Sequence, residues 1–400
     1  MTTTKNNEHK KLNAPNLRFP EFEGEWEKCT LEDVMNFSTT RVNSSELNED
    51  NYVSTENMLQ DYQGVMEAKS VPEDVNVISF SCGDILISNI RPYLKKVWKA
   101  TFNGGCSSDV FVLKANNNIE SDYLHYVIAN DKFINFVMSG AKGVKMPRGD
   151  KNQMKTYSLS LPQIQEQKKI GKMLSLLDER IVTQNKIIDK LQSLIKGLND
   201  SLYAQYGGKV LTSFAELGTS YSGLSGKSAQ DFGSGKPFIT YLNVYSNNVI
   251  NENEFQYVAI KDDEKQNFAE YGDVLFTLSS ETPEEVGIGS VYLGKEKVYL
   301  NSFCFGIHIT NAAIAFPPYL SYYVSSTAFR KFIYPYAQGS TRFNLCKADF
   351  EKASIKLPTL ENQKRIYSIL SHIDNKIITE RQMLDLYNSQ KQYLLRQMFI

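Results

Sequence analysis

The chain contains an internal duplication, and this feature constrains its fold more than any other. Residues 161–181 reappear 196 residues later as residues 357–377, with nine of the 21 aligned positions identical. Shorter matches with offsets of 189 and 183 pair residues 83–86 with 272–275, and residues 31–34 with 214–217. An offset that changes along the chain is expected when two copies of one fold differ in loop length. The sequence therefore predicts a variable module followed by a helix, and then the same pair again.

Both copies of the repeated segment begin a long heptad pattern. Apolar residues recur with a period of 3.5 from about residue 163 to 203, and again from about 361 to 398, which is typical of a coiled coil. A helix of about 40 residues would be about 60 Å long, so it suits a connection between domains. The predicted seam and subunit-contact positions are Ile170, Leu174, Leu177, Ile181, Gln184, Ile188 and Leu191 in the first helix, and Ile366, Leu370, Ile373, Ile377, Glu380 and Leu384 in the second.

Gln184 and Glu380 occupy the same heptad position in the two predicted seams. A single buried polar layer can fix the register of a coiled coil at some cost in stability. The alternative is that each helix is merely amphipathic and packs only on its own module.

The modules between the helices have a mixed α/β pattern. Strand-like runs are residues 77–80, 85–88, 110–113, 274–277 and 305–309, and helical runs are residues 122–139 and 318–334. Gly83-Asp84 and Gly272-Asp273 each precede a strand and are interpreted as turns. The predicted fold is α+β, with a pseudo-two-fold internal repeat. The predicted boundaries are 1–160 for the first module, 161–206 for the first helical spacer, 207–356 for the second module and 357–400 for the second spacer.

The charge balance excludes a chain that coats nucleic acid as a polycation. Lysine and arginine number 44 against 45 acidic residues, so any nucleic-acid site must be a local concentration of charge. The five scattered cysteines fit reduced thiols in a cytosol, and the four histidines show no metal-ligand spacing. The first sixteen residues lack the apolar core of a signal peptide and are expected to fray. No run of 18 apolar residues occurs, so we expect no membrane contact and a cytoplasmic location.

Motifs of several enzyme classes are present only in incomplete form. The run Gly223-Leu-Ser-Gly226-Lys227-Ser228 resembles a phosphate-binding loop, but that loop needs glycine at position 221, where Tyr221 stands. Neither G-x-S-x-G nor H-E-x-x-H occurs. We therefore predict that the chain has no catalytic residues and no metal site, and that its function is binding.

Two segments of the first module concentrate positive charge. Residues 91–99 carry four positive and no negative charges with two aromatic residues interleaved, and residues 142–155 carry a net charge of +4 in a glycine-containing stretch. Basic loops of this kind contact phosphates and can read guanine edges in the major groove. The alternative is a solvated surface loop. The predicted DNA contacts are Lys95, Lys142, Lys145, Arg148 and Lys151.

The counterpart of this loop in the second module, residues 339–347, is less charged. It offers hydrogen-bond donors and acceptors of the kind that read bases, and its predicted DNA contacts are Thr341, Arg342, Asn344 and Lys347. Identical copies would read identical half-sites. Because these copies diverge, the predicted target is asymmetric and bipartite.

Taken together, these features resemble the specificity subunits of type I restriction-modification systems over essentially the whole chain. The resemblance is carried by Asn16-Leu-Arg18-Phe19-Pro20-Glu-Phe22 with Trp26, by Ile87-Ser-Asn89-Ile-Arg91-Pro92, by the two Leu-Pro-x-x-x-x-Gln-Lys-[Lys/Arg]-Ile helix starts and by the duplicated layout. It implies two DNA target recognition domains separated by two long antiparallel coiled-coil helices. It also implies DNA contacts at Asn89, Arg91 and Tyr93, whereas residues 278–280 of the second module lack the Arg-Pro pair.

The resemblance also implies a set of partners. These are double-stranded DNA, two methyltransferase subunits docked on the helices, and restriction subunits. S-adenosylmethionine, ATP and Mg²⁺ would be bound by those partners, and this chain would hold no cofactor. Two alternatives remain: a non-catalytic helical adaptor that bridges protein partners without reading DNA, and a nucleotide-dependent enzyme that uses the incomplete phosphate loop.

Overall fold

The computed structural model describes residues 13–400, and the chain divides into two compact units. The first unit runs as far as Asn185 and also includes Met383–Ile400, while the second is Lys186–Gln382. Each unit therefore contains part of both long helices. The boundaries predicted at 160, 206 and 356 divide the chain differently, into modules and helices, and they stay a prediction. Most of the terminus expected to fray lies outside the described residues.

The first unit is built on two four-stranded sheets and a two-stranded ribbon. One sheet has the strand order Met35–Phe37, Val110–Ala115, Ile85–Ser88 and Val97–Lys99, and the other has Arg41–Asn43, Asn76–Phe80, Gly104–Cys106 and Tyr52–Val53. The ribbon pairs Glu27–Thr30 with Ser158–Leu161. The helices are Leu31–Val34, Ser121–Ile128, Asp131–Ser139 and Lys151–Lys155. Because alternate side chains of a strand face opposite sides, Ile85, Ile87 and Leu113 lie in a core shared with the helices, while Leu86 and Val112 lie in a separate core.

The second unit repeats this plan with different loops. Its four-stranded sheet has the order Gly218–Ser222, Cys304–Ile309, Val274–Thr277 and Gly289–Val291, and its ribbon pairs Val210–Thr212 with Ile355–Leu357. Two three-stranded sheets comprise Gln256–Val258, Phe232–Ile239 and Tyr299–Leu300, and Ser279–Ser280, Phe343–Leu345 and Ala337–Gln338. The helices are Phe214–Leu217, Tyr241–Ser246, Pro317–Tyr323, Thr327–Ile333 and Lys347–Lys352. The strands of this four-stranded sheet take the same order as their counterparts in the first unit's sheet of Met35–Phe37, Val110–Ala115, Ile85–Ser88 and Val97–Lys99, which confirms the internal repeat.

The two predicted single helices of the modules are wrong, because each is broken in the middle. Asn130 and Ser326, which are 196 residues apart, take an extended backbone and cap the helix that follows. The Asn130 side chain accepts a hydrogen bond from the N–H of Lys132 at 3.0 Å, and Ser326 Oγ accepts one from the N–H of Phe329 at 3.2 Å. Side chains of this type satisfy free N–H groups at a helix start, so they stabilise a new helix.

The long helices are Ile164–Tyr206 and Leu360–Gln397. Within the first unit they run antiparallel: Asp178 pairs with Lys391 at 2.6 Å, and Arg180, two residues further on, lies over the ring of Tyr387 at 5.5 Å. Buried residues recur along each helix at the predicted heptad positions. They are Ile170, Leu174, Leu177, Gln184 and Ile188 in the first helix, and Ile366, Leu370 and Ile377 in the second. The coiled-coil fold is therefore confirmed.

The repeated glutamine of the helix starts joins each module to its helix. Gln167 is buried, its Oε1 accepts from the N–H of Glu120 at 2.8 Å, and its Nε2 donates to the carbonyls of Asn118 and Pro162. Gln363 makes the same three hydrogen bonds, to Phe316, Ile314 and Pro358. Every partner is displaced by the same 196 residues, so the repeated sequence preserves one contact in both units.

The amino-terminal motif has its own contact in the first unit. Arg18 Nε and Nη2 donate to the two carboxylate oxygens of Glu166, each at 2.8 Å, and Glu166 is fully buried. The N–H of Leu17 donates to the carbonyl of Gln397 at 3.0 Å. Arg18 supplies the charged partner that the buried carboxylate of Glu166 requires. With the bond from Leu17, residues 16–22 therefore connect the start of the first long helix with the end of the second.

Candidate nucleic-acid interface

The two basic segments of the first module converge on one surface. The N–H of Arg91 donates to the carbonyl of Pro147 at 2.8 Å, and the N–H of Gly149 donates to the carbonyl of Asn89 at 3.0 Å. Residues 89–95, which follow the strand Ile85–Ser88, thus lie against the hairpin of residues 142–148. We call residues 89–95 and 142–151 the first recognition surface.

The hairpin of residues 142–148, the first hairpin, is held at its base and exposed at its tip. Lys142 and Arg148 exchange both main-chain hydrogen bonds, at 3.0 and 2.9 Å. Gly143 has φ +98°, and a Cβ there would lie 3.2 Å from the carbonyl oxygen of Met146, so glycine is required for this turn. Val144 at the tip is fully exposed and Met146 is about half exposed. The hairpin presents an apolar tip flanked by cations.

Most of the predicted cations have acidic neighbours. Lys95 pairs with Asp131 at 2.8 Å, Arg148 with Asp109 at 2.8 Å and Lys142 with Asp150 at 3.2 Å. Exposed pairs of this kind stabilise a protein by only about 0–1 kcal/mol, so phosphate groups could replace the carboxylates. Lys145 is exposed and forms no ion pair within residues 13–400.

Lys151 and Lys347 occupy equivalent places in the two units. Each begins a short helix, so the basic stretch that was expected to be a loop throughout becomes helical at Lys151. Lys151 Nζ lies 4.6 Å from the ring centre of Phe111, and Lys347 Nζ lies 4.9 Å from that of Phe305. Lys347 also approaches Glu351 at 3.6 Å.

Residues 89–95 hold strained and unsatisfied groups. Arg91 and Lys95 have φ of +50° and +54°, a left-handed conformation that is costly for residues other than glycine. Arg91 Nε and Asn89 Oδ1 are enclosed and have no hydrogen-bond partner among the described residues, while Tyr93 is about half exposed. Buried polar atoms without a hydrogen-bond partner are few in folded proteins, so these two are candidates for contacts to a ligand.

The second unit contains the same arrangement with different side chains. The N–H of Leu345 donates to the carbonyl of Leu278 at 2.8 Å, and this bond matches the one between Gly149 and Asn89 at the offsets of 196 and 189. Residues 337–345 form the second hairpin, built from Ala337–Gln338 and Phe343–Leu345. Residues 278–280, which lack the Arg-Pro pair, therefore occupy the place that residues 89–91 have in the first unit, as the offset of 189 predicted.

The second hairpin carries three of the predicted contacts in exposed positions: Thr341, Arg342 and Asn344. Arg342 Nη2 donates to Ser279 Oγ at 3.2 Å, and its guanidinium lies 5.8 Å from the ring centre of Phe303. Residues 278–280 have no counterpart of Arg91, but Arg342 of the second hairpin contacts this segment.

Sequence reasoning missed the residues that surround Arg342. A cleft of about 870 Å³ is lined by Tyr241, Leu242, Tyr245, Ser279, Ser280, Glu281, Glu285, Phe303, Thr341 and Arg342. Four separate segments contribute to it, and only tertiary structure brings them together. The one sequence signal is the spacing of Tyr241 and Tyr245, whose rings stack at 6.0 Å on one helix face.

The incomplete phosphate loop is a structural turn. Lys227 Nζ donates to Glu264 at 2.5 Å and to the carbonyl of Ala259 at 2.6 Å, so its ammonium group is already bound. In residues 13–400 no set of three histidine, cysteine, aspartate or glutamate side chains is placed to hold a metal ion. No helix in the same range is long and apolar enough to cross a lipid bilayer.

The fold and the paired surfaces define a duplicated α+β protein with two divergent hairpin-bearing units on a coiled coil. Residues 23–193 and 220–386 each match the family described as type I restriction modification DNA specificity domain. Because these matches span well over half of the chain, the chain belongs to this family.

Curated relatives and solved structures agree with this family. A Methanocaldococcus jannaschii protein named as a specificity subunit of the type I restriction enzyme MjaX is 28% identical over 347 residues, which cover 77% of this chain and 76% of that protein. The EcoDI specificity subunit of Escherichia coli is 26% identical over 126 residues, covering 32% of this chain and 28% of that protein. The crystal structure of the type I S subunit from M. genitalium covers 97% of this chain and 99% of its own, with a TM-score of 0.59 and 14% identity. A structure described under complex assembly of a type I R-M system covers 92% and 96%, with a TM-score of 0.57 and 18% identity. These structures share the fold.

Proposed function

We propose that this chain is the DNA-recognition subunit of a type I restriction-modification complex, and that each unit reads one half of an asymmetric bipartite site in double-stranded DNA. The observation that carries the proposal is a hairpin that packs, in both units, against the segment following the same strand, with the same main-chain hydrogen bond and different side chains. A shared scaffold with divergent exposed groups suits two readers of different sequences. Side chains on base edges specify a sequence, while contacts to phosphates position the protein.

The proposed contacts of the first unit combine charge with an apolar tip. Asn89, Arg91, Tyr93 and Lys95 would face the duplex together with the cations of the first hairpin, which are Lys142, Lys145, Arg148 and Lys151. Val144 could contact a thymine methyl group, because apolar side chains read that group in the major groove. In the second unit Thr341, Arg342, Asn344 and Lys347 would have the corresponding role.

The proposed protein partners are two methyltransferase subunits and the restriction subunits. Each unit offers exposed apolar side chains on its part of the long helices, such as Val182 and Leu386 in the first unit and Ile187 and Ile378 in the second. Val182 and Ile378 are 196 residues apart, so the repeat supplies two related docking positions. Exposed apolar groups of this kind mark protein interfaces when they cluster.

Catalysis is proposed to lie outside this chain. S-adenosylmethionine, ATP and Mg²⁺ would be bound by the methyltransferase and restriction subunits, and the complex would act in the cytoplasm. The bound state of Lys227 disfavours the nucleotide-dependent alternative, since a phosphate loop needs a free ammonium group.

The test is to express the chain with the methyltransferase subunits of its complex in a host without N6-adenine methylation, and to map N6-methyladenine across the genome. The expected result is one motif with two unlike parts separated by a fixed unspecified spacer. The motif should disappear when this chain is omitted.

Two results would overturn the proposal. Methylation that does not depend on this chain would remove its recognition role. A complex that co-purifies intact but methylates no defined sequence would favour the helical adaptor, which bridges partners without reading DNA.

A further inference from the structure

The cleft of the second unit has a composition unlike that of the first recognition surface. The first surface is dominated by cations, whereas the cleft contains one arginine and two glutamates between aromatic walls. A carboxylate facing DNA is repelled by phosphate and by base acceptors. It is tolerated where it meets a hydrogen-bond donor, and in the major groove the donors are the amino groups of cytosine and adenine.

Glu285 is fixed in the cleft as a charged acceptor. Its carboxylate accepts hydrogen bonds from Tyr245 Oη at 2.8 Å and from Ser280 Oγ at 3.0 Å. The bond from Tyr245 lowers the pKa of Glu285, and that from Ser280 acts in the same direction. Two carboxylate oxygens have about four acceptor sites, so capacity remains for a further donor.

A half-buried arginine holds the loop that carries Glu285. The Arg330 guanidinium donates to the carbonyls of Glu284, Val286 and Gly287 at 2.6, 2.7 and 2.8 Å. Three charge-assisted hydrogen bonds from one side chain leave this loop little freedom. The carboxylate is therefore in place before any ligand arrives, which reduces the entropic cost of binding.

Arg342 supplies the opposite charge and is not neutralised. Arg342 contacts Ser279 Oγ and the ring of Phe303, and within residues 13–400 it forms no ion pair with Glu285 or any other acid. Tyr241 lines the cleft together with both charged residues. Burial is the main cause of its raised pKa, Glu285 raises that pKa further and Arg342 lowers it. A guanidinium has five N–H donors, so most of those on Arg342 remain available.

We propose that this cleft reads a G·C base pair, with Arg342 donating to guanine O6 and N7 and Glu285 accepting from the cytosine amino group. This assignment rests on the proposed function and names the base pair that the second unit recognises. The arginine–guanine contact needs a bidentate donor and the cytosine contact needs an acceptor, and the cleft holds one of each. Phe303, which is 55% exposed, and Leu242 supply apolar edges beside the charged groups.

The experiment uses the complete complex and the motif mapped for the wild-type chain. Duplexes carry 7-deazaguanine, which lacks N7, at each guanine of the second half-site in turn. At one position this replacement should weaken binding by the wild-type complex about 10-fold, within the range for a bidentate base contact. The Arg342→Ala complex should be nearly indifferent to the same replacement.

Glu285→Gln tests the carboxylate. The variant should relax the preference for cytosine at the paired position of the second half-site and leave the first half-site unchanged. Glu252→Gln is the matched control, because Glu252 is exposed in the same unit and lies outside the cleft. An unaltered first half-site in every variant shows that the chain is folded and assembled.

The outcomes separate this inference from the proposed function. The assignment would be overturned, and the proposed function left intact, if the second half of the wild-type bipartite site contained no G·C pair. The same would follow if neither Arg342→Ala nor Glu285→Gln changed the base preference in that half. Saturable binding of free guanosine monophosphate that depends on Arg342, while duplex binding does not, would also overturn the assignment. A wild-type complex with no motif would overturn the proposed function itself.

Discussion

Lys145 is the cation of the first hairpin whose role is simplest to isolate. It is exposed beside the apolar tip and has no acidic partner in the described part of the chain. Its neighbours Lys142 and Arg148 are paired with acids, so their substitution would also release a carboxylate.

We predict that Lys145→Ala weakens binding by the assembled complex to specific and unrelated duplexes alike. One lost phosphate contact reduces the slope of log affinity against log salt by about 1. Fluorescence anisotropy titrations at salt concentrations from about 50 to about 200 mM measure both the affinity and this slope. Lys69→Ala is the control, because Lys69 is exposed and lies outside the first recognition surface and the second hairpin. A selective loss on one sequence would instead assign Lys145 to a base.

His125 gives the first unit a specific response to acid. Its Nδ1 is enclosed without a partner, and its ring lies edge-on to Tyr126. Burial, reinforced by Lys391 and Lys99, lowers the pKa of His125 to about 4. The histidine is neutral in the folded and unfolded chain at pH 7. As the pH falls below about 6.5 only the unfolded chain takes up this proton, so stability is lost down to about pH 4.

We predict that His125→Phe removes this part of the acid sensitivity. Between pH 7 and 5.5 the wild-type chain should lose about 1 kcal/mol more unfolding free energy than the variant. Urea denaturation followed by tryptophan fluorescence at both pH values measures the difference. Equal losses in the two proteins would show that His125 takes up its proton in the folded state.

At the scale of elements, the glutamine contacts explain why one helix start is present twice. Gln167 and Gln363 each satisfy two main-chain groups of the adjoining module and one carbonyl just before their own helix. Both residues are almost completely buried, so water cannot take over these bonds when the side chain is removed.

We predict that Gln167→Ala and Gln363→Ala each destabilise their own unit by about 2 kcal/mol. The chain has two tryptophans, Trp26 and Trp98, and both lie in the first unit. Tryptophan fluorescence should therefore report the loss caused by Gln167→Ala more strongly than that caused by Gln363→Ala, while circular dichroism reports both. Gln165→Ala, at an exposed position of the same helix, should change neither signal. Three coincident unfolding curves would contradict the role given to the glutamines.

Much of the element plan could be predicted from the sequence, because it depends on local pattern. The strands at residues 85–88 and 274–277, and the long helices to within three residues at each end, follow from apolar periodicity. The breaks at Asn130 and Ser326 were missed although both residues are good helix caps, because the continuous apolar pattern obscured them. The convergence of Arg91 with Pro147, and the cleft around Glu285, depend on contacts between distant segments that no local pattern records.

At the scale of the whole molecule, each unit contains parts of both long helices, and the first unit combines the stretch that ends at Asn185 with Met383–Ile400. The chain passes between the units at two points, after Asn185 and after Gln382. Both points fall within uninterrupted helix, and burial at heptad spacing continues on either side of the first, at Gln184 and Ile188. A coiled coil is stiff along its axis, so we expect the helices to set the spacer of the bipartite site.

The most direct test of this account is to insert one heptad after Asn185 and one after Gln382, which lengthens both helices and keeps their apolar seam. Seven residues add about 10 Å, the length of about three base pairs. Mapping of N6-methyladenine should then return both half-sites unchanged and a spacer longer by about three base pairs, while a seven-residue insertion at the exposed turn between Asp262 and Asp263 leaves the spacer as it was. Methylation of the original site with its original spacer by the heptad variant would contradict the claim that the helices set the distance between the two readers.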